Sequence, residues 1–141
     1  MSFLLDTNVI SEWAKPHPNQ GVVEWLAALD EDRVYISVIT ISEIRFGIER
    51  LSPGTRRKRI EDWFTTDLPM RFDSRIIPIN VAIADLCGTI RNRGRAVGRP
   101  IAPMDAFIAA TAQAADLTLV TSNTSDFEFL DFPMISPWGA A

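Results

Sequence analysis

The sequence predicts an α/β fold whose short, largely parallel sheet is covered by helices on both faces. Short apolar or β-branched runs alternate with longer stretches of helical periodicity, which is the pattern of βαβ units. The chain has 141 residues, of which 47% are hydrophobic, and this is enough to bury the core of one domain. No repeat or linker divides it. We therefore expect a single domain over residues 1–141.

The first half of the chain is predicted to contain two strands and four helices. The apolar run at 3–5 ends at Asp6 and predicts a buried strand. Thr40-Ile41-Ser42-Glu43 has the form of a capping box, which predicts a helix that begins there and continues to about Leu51. The other elements predicted in this half are helices at 9–13, at 22–29 and from 55 to 64 or beyond, and a strand at 34–38.

The second half is predicted to contain two longer helices and three short strands. A helix over 81–93 is expected to end at Gly94, which is a suitable C-cap residue. Pro103 marks the first turn of an Ala-rich helix that continues through Ala115. The strands are predicted at 75–79, at 117–121 and, on an edge of the sheet, at 134–136.

Composition excludes several classes of protein. One Cys rules out a disulfide scaffold, and one His argues against a His-rich zinc site or a Ser-His-Asp triad. No apolar run approaches the roughly 20 residues that span a bilayer. The N-terminal MSFLLD lacks the basic region of a signal peptide, so we expect a cytoplasmic protein without membrane association. The net charge of -4 argues against nonspecific nucleic-acid binding through overall charge, but it allows a locally basic groove.

Three acidic residues are predicted to meet at one edge of the sheet. Asp6 follows the first strand, Glu43 lies just past the second, and Asp105 lies in the first turn of the helix that leads into the fourth. They converge because the ligand crevice of such a sheet lies beyond the carboxyl ends of its strands. Each residue alone has a structural explanation, as a turn, capping-box or helix-dipole residue. Their joint placement is what favours a site.

An acidic crevice of this kind predicts metal chemistry. Gathered carboxylates raise one another's pKa unless a cation is present, and Mg²⁺ or Mn²⁺ prefers carboxylate and water ligands. Such an ion activates water and stabilises charge on a phosphodiester, which indicates metal-assisted hydrolysis. Asp6 and Asp105 are the expected metal ligands, and Glu43 holds a metal-bound water or completes a second site. The polar groups expected behind them are Asn8, Ser122 and Asn123.

Four segments form an ordered set of motifs. They are LDTNVISE at 5–12, SVITISEIRFG at 37–47, DAFIAATA at 105–112 and VTSNTSDF at 120–127, followed by a closing Pro137-Trp138. Together they resemble the PIN-domain ribonucleases of the VapC toxin family, specifically its FitB-like branch. The resemblance covers essentially the whole chain.

This resemblance implies a PIN-like three-layer α/β/α fold and a Mg²⁺- or Mn²⁺-dependent endoribonuclease, the toxin of a type II toxin–antitoxin pair. It implies a homodimer, a small VapB-like antitoxin seated on a groove near residues 38–51, and DNA contact only through that antitoxin. Carried over by motif, Asp6, Glu43 and Asp105 form the acidic core. FitB-like members often have a fourth acid where this chain has the neutral Asn123. The sequence leaves open whether Asn123 or Asp126 completes the catalytic site.

Basic residues are clustered in two groups. The better candidate for contact with the RNA backbone lies just before Asp105, because it would guide a phosphodiester strand to a repulsive acidic crevice. Its members are Arg91, Arg93, Arg95 and Arg99. The other group, at 56–59, is equally well explained as a solvated helix face.

Two alternatives remain open at this stage. A catalytically silent RNA- or protein-binding module would retain the fold without cleavage, and the neutral Asn123 is compatible with it. A metal-dependent phosphatase would use Asp6 as a covalent nucleophile. The carboxylate usually found two residues after such a nucleophile is replaced here by Asn8, which weakens that alternative.

Overall fold

A computed structural model describes residues 1–138, and it confirms the α/β fold with a parallel sheet. The sheet has the strand order β3-β2-β1-β4-β5, and every neighbouring pair is parallel. The strands are β1 (Phe3–Leu5), β2 (Val34–Ser37), β3 (Ile76–Ile77), β4 (Thr118–Val120) and β5 (Met134–Ile135). The last three residues of the predicted domain lie outside the described residues.

Within residues 1–138, eight α-helices surround the sheet. They are α1 (Thr7–Trp13), α2 (Gln20–Ala27), α3 (Val38–Glu49), α4 (Thr55–Asp62), α5 (Leu68–Phe72), α6 (Val81–Ala96), α7 (Pro103–Ala114) and α8 (Thr124–Phe127). A π-helical turn at Trp63–Asp67 joins α4 to α5, so the helix predicted from 55 to 64 or beyond continues, with a change of winding at Trp63. Among residues 1–138, no helix is long and apolar enough to cross a membrane.

The two faces of the sheet carry separate hydrophobic cores. Side chains alternate across a strand, so Phe3 and Leu5 of β1 pack into one core and Leu4 packs into the other. The first core contains residues of α1 to α5, and the second contains residues of α6, α7 and α8. This arrangement is a three-layer α/β/α fold, as the resemblance implied. Because β1 is buried on both faces and at both sides, its apolar run has no polar alternation.

The predicted capping box is wrong. The Ser37 side chain accepts a hydrogen bond from the Ile39 backbone N–H at 3.0 Å, so α3 begins at Val38, earlier than expected. Val38 therefore belongs to the helix and not to β2. Glu43 lies in the interior of α3, and no capping role explains it. Its carboxylate is available to the edge of the sheet.

The predicted C-cap at Gly94 is also wrong. Helix α6 continues to Ala96, and Gly98, with a φ of 74°, is the residue that takes the left-handed conformation after it. Gly94 is needed for a different reason, which is the close approach of the next loop. The Arg99 backbone N–H donates to the Gly94 carbonyl at 2.7 Å, and a Cβ on Gly94 would lie 2.6 Å from the Arg99 carbonyl oxygen. The loop after α6 is thus seated directly on the helix.

Substitution by alanine should therefore change the free energy of unfolding in opposite directions at two glycines of α6. We expect Gly94→Ala to lower the free energy of unfolding by about 1 to 3 kcal/mol, because the new methyl group meets backbone that cannot turn away. Gly88→Ala is the matched control, since a Cβ there meets nothing within 4 Å. It should raise stability by about 0.5 to 1 kcal/mol through helix propensity. Urea denaturation of the two variants measures this difference. Equal free energies of unfolding for Gly94→Ala and Gly88→Ala would contradict the close packing of the loop on Gly94.

Candidate active site

Asp6 lies where β1 ends, at the centre of the sheet. Its backbone N–H donates to the Val120 carbonyl of β4 at 2.9 Å, which fixes the residue between the two strands. The Asp6 carboxylate is only 4% exposed, and its Oδ1 caps α1 by accepting the Thr7 N–H at 2.7 Å. The helix-cap explanation of Asp6 is therefore correct, and it leaves Oδ2 to the interior of the site.

Two polar side chains hold that second oxygen. The Thr121 hydroxyl donates to Asp6 Oδ2 at 2.8 Å, and Asn8 Nδ2 donates to it at 3.2 Å. The sequence predicts Thr121 at this edge, within the Thr121-Ser122-Asn123 segment that follows the fourth strand, but it gives no contact between Thr121 and Asp6. Its position directly after β4, the neighbour of β1, is the signal that identifies it. These contacts fix the orientation of the Asp6 carboxylate before any ligand arrives.

Glu43 is tied to the same edge through the first turn of α1. The Thr7 hydroxyl donates to Glu43 Oε1 at 2.5 Å and lies 3.1 Å from the hydroxyl of the buried Thr40. Neither threonine was assigned a role from the sequence, because a hydroxyl within a helical pattern carries no distinctive signal. The two threonines join α3 to α1, and they hold Glu43 beside Asp6.

Asp105 completes the acidic cluster from the first turn of α7. Burial raises the pKa of Asp105 to about 6, and the negative charges of Asp6, Glu43 and Asp126 add to this effect. Burial also raises the pKa of Asp6, with a smaller contribution from the charge of Glu43. The structure therefore brings together four carboxylates that are far apart in sequence.

Asp126 and Asn123 occupy different positions at this edge. Asp126 lines a cavity of about 380 Å³ together with Asp105, and its charge acts on the Asp105 carboxyl. The Asn123 side chain is exposed, and its Oδ1 lies 3.4 Å from the Ser122 hydroxyl. The Ser122 N–H donates to Asn8 Oδ1 at 3.2 Å, which holds the turn against α1. Asp126 thus contributes the negative charge that Asn123 lacks.

Of the four arginines predicted to bind RNA, Arg99 alone lines the cavity of the acidic cluster within residues 1–138. Arg99 lines the Asp105 cavity, and Arg93 donates to the Phe129 carbonyl at 3.3 Å. Arg91 and Arg95 are exposed on α6. In the other basic group, Arg57 is engaged by Glu49 at 2.7 Å and by the Leu51 carbonyl, which is a structural role.

The donor set at the cluster suits a hard cation. Carboxylates dominate it, and their mutual repulsion would be relieved by positive charge. Among residues 1–138, however, no three His, Cys, Asp or Glu side chains converge closely enough to hold an ion by themselves. An ion at this place would therefore depend on water for part of its coordination, as Mg²⁺ usually does.

The raised pKa of Asp105 has a consequence for stability in the presence of EDTA. In the unfolded chain this carboxyl returns to its ordinary pKa of 3.8, below the folded value of about 6. Protonation of Asp105 therefore favours the folded state, and this contribution to the free energy of unfolding is complete below pH 4 and is lost as the pH rises through 6. Its size is about 1 to 2 kcal/mol after allowance for partial exposure.

We therefore expect Asp105→Asn to be more stable than the wild type at pH 7.5 and no more stable at pH 4. Thermal melts in EDTA at both pH values measure this difference. Asp85→Asn, which removes an exposed carboxylate of α6, should show no such pH-dependent gain. A gain for Asp105→Asn that is equal at the two pH values would contradict the electrostatic cause.

Comparison with known proteins identifies the family of this chain. The model of the PIN domain family matches residues 3–133. Toxin FitB of Neisseria gonorrhoeae is 38% identical over 135 residues, which cover 96% of this chain and 97% of FitB. VapC ribonuclease Y4jK of Sinorhizobium fredii is 33% identical over 142 residues, covering 98% and 99% of the two chains.

A solved structure of FitAB bound to an IR36 DNA fragment has a TM-score of 0.91 to this chain. Its sequence identity is 36%, and the match covers 99% of this chain and 97% of the other. The similarity thus extends from the motifs to the whole backbone. The chain belongs to the PIN-domain family, where it groups with the FitB and VapC toxins.

Proposed function

We propose that this VapC-type toxin is a metal-dependent endoribonuclease of a type II toxin–antitoxin pair. The observation that carries the proposal is the gathering of four carboxylates where β1 and β4 end, with the pKa of Asp105 raised to about 6. The similar VapC protein of Sinorhizobium fredii is named a ribonuclease, which supports nuclease activity.

Asp6 and Asp105 are the residues that would hold Mg²⁺, with Mn²⁺ as a substitute. The chemistry that a bound ion supplies is activation of water and stabilisation of negative charge on a phosphodiester. Asp6 is oriented for this by Thr121 and Asn8. Glu43, held by the Thr7 hydroxyl, orients the attacking water and accepts its proton.

Metal binding should be visible in stability as well as in activity. Because Mg²⁺ relieves repulsion between carboxylates, we expect millimolar Mg²⁺ to raise the melting temperature of the wild type by a few degrees. Asp105→Asn should show a smaller rise, since one of the two proposed ligands has lost its charge. Asp85→Asn should respond like the wild type. Equal responses from all three proteins would count against a metal at the cluster.

The proposed substrate is RNA, and the proposed partners are a second copy of this chain and a small antitoxin. The arginines on and after α6 supply positive charge for the RNA backbone. A cavity of about 270 Å³ between α1, α3 and α4 is lined by Glu43, Ile48 and Trp63. It suits an amphipathic segment of the antitoxin. The similar structure of FitAB is bound to a DNA fragment, which supports DNA contact by the toxin–antitoxin complex. We propose that the antitoxin makes this contact.

The alternative is a silent RNA- or protein-binding module. Two observations favour it over the phosphatase, namely the exposed neutral Asn123 and the lack of three converging ligands within residues 1–138. Such a module would bind RNA equally well after Asp6→Asn, and it would cleave none with any metal.

The test is induced expression in a bacterium that lacks the antitoxin, followed by mapping of new RNA 5′ ends. We expect growth arrest and discrete cleavage sites, both absent with Asp105→Asn. The cleavage sites would also identify the substrate. Soluble, folded protein without any new 5′ ends would favour the silent module.

A further inference from the structure

Arg99 is the one cation among the residues that line the Asp105 cavity in the described part of the chain. The cavity measures about 380 Å³ and is also lined by Asp126, so two acidic residues and one arginine border it. Arg91, Arg93 and Arg95 do not line it. The four arginines that the sequence groups together therefore have different relations to the acidic cluster.

The backbone of Arg99 is fixed by the packing of its loop. Its N–H donates to the Gly94 carbonyl, and its own carbonyl lies against the bare Cα of Gly94. Gly98 provides the left-handed turn that reverses the chain just before it. The packing of this loop on helix α6 consequently fixes the point from which the Arg99 side chain extends.

The guanidinium is held by the segment that carries Asp126. Arg99 Nη1 bonds to Glu128 Oε1 at 3.0 Å, and Nη2 donates to the Ser125 carbonyl. Two of its five N–H donors are thus engaged, and three remain for a ligand. The Arg99 and Glu128 side chains are 42% and 62% exposed. An exposed ion pair contributes little to stability. A phosphate that accepts two hydrogen bonds from the guanidinium can therefore displace Glu128 from Arg99.

We propose that Arg99 binds a phosphate of the RNA strand next to the bond that is cleaved, an inference that rests on the proposed ribonuclease function. A phosphodiester that approaches Asp105 and Asp126 is repelled by both, and the guanidinium in the same cavity offsets this repulsion. Its planar fork matches two phosphate oxygens, which a lysine ammonium cannot do. Arg99 is therefore the arginine of this group that positions the RNA backbone at the acidic cluster.

The experiment measures RNA binding without cleavage. Every variant is made in the Asp105→Asn background with Mg²⁺ present, and the probe is a fluorescein-labelled, single-stranded 12-nucleotide RNA of mixed sequence. Anisotropy titrations over a series of KCl concentrations give the Kd and its salt dependence. The matched control is Arg33→Ala, which removes an equal charge from an exposed position before β2.

We expect Arg99→Ala to weaken binding about 10-fold and to reduce the slope of log Kd against log salt by about 0.7, the value for one phosphate on a single strand. Arg99→Lys should retain the slope but bind more weakly than the parent. Glu128→Gln should bind at least as tightly as the parent, because the guanidinium is released. Arg33→Ala should leave the slope unchanged.

Equal slopes for Arg99→Ala and Arg33→Ala would overturn the proposal, as would the absence of probe binding by the parent. A reduced slope together with no cleavage by the wild type would support the phosphate contact of Arg99 and contradict the ribonuclease proposal, so the two failures are distinguishable. With a cleavable RNA, Arg99→Ala in the otherwise wild-type chain should raise KM more than it lowers kcat. A loss confined to kcat would indicate that Arg99 only positions α8.

Discussion

Replacing Asp105 by Asn should reduce RNA cleavage by about 1,000-fold without unfolding the protein. The substitution keeps the volume of the side chain but removes one of the two carboxylates proposed to hold Mg²⁺. A bound metal contributes several kcal/mol of charge stabilisation to phosphodiester hydrolysis. Each 1.36 kcal/mol corresponds to a factor of about ten in rate.

The measurement is cleavage of RNA by purified protein in Mg²⁺, with melting temperatures determined in EDTA. Asp85→Asn removes the same charge from an exposed position on α6, and it should cleave at the wild-type rate. Because burial and the neighbouring negative charges raise the pKa of Asp105 and so disfavour its ionised form, its Asn variant should melt no lower than the wild type at neutral pH. Cleavage by Asp105→Asn within tenfold of the wild type would exclude Asp105 as a metal ligand.

The largest effect on stability is expected at Phe127. This residue is 1% exposed, and it anchors the short helix α8 in the core that also contains Leu119 and Leu130. Phe127→Ala should lower the free energy of unfolding by about 3 to 5 kcal/mol through lost burial and the cavity left behind. A domain of this size has only about 5 to 15 kcal/mol in total.

Urea denaturation measures this loss, and Phe46→Ala is the control. Phe46 is 64% exposed on α3, so its removal should change stability by no more than about 1 kcal/mol. Phe127→Leu should fall between the two variants. If Phe127→Ala were as stable as Phe46→Ala, α8 would not be anchored by this ring. The placement of Asp126 would then need another cause.

Much of the fold could be predicted because its strands and helices have strong local signals. The apolar run of β1, the β-branched run of β2 and the Ala-rich α7 were each located to within a few residues. The errors arose where a signal had two explanations. Glu43 fitted a capping box, but Ser37 caps α3 instead, and Gly94 fitted a helix end but serves the approach of the Arg99 loop.

The acidic cluster was accessible from the sequence for a topological reason. Asp6, Glu43 and Asp105 follow or precede strands that end at the same edge, so their convergence required only the order of the elements. The hydrogen bonds of Thr7, Thr40 and Thr121 were not accessible, because they depend on side-chain directions that no periodicity reports. The orientation of Asp126 toward Asp105 depends likewise on the tertiary packing of Phe127.

The order of the strands in the sheet has a consequence for when the acidic cluster can form during synthesis of the chain. Strand β1 is made first, yet one of its two neighbours is β4, which begins at residue 118. Asp6 therefore has neither its bond to Val120 nor its Thr121 partner until β4 and the residue after it have been synthesised and have packed beside β1. A nascent chain that ends before β4 therefore cannot assemble the site. Formation of the acidic cluster is thus coupled to completion of the sheet.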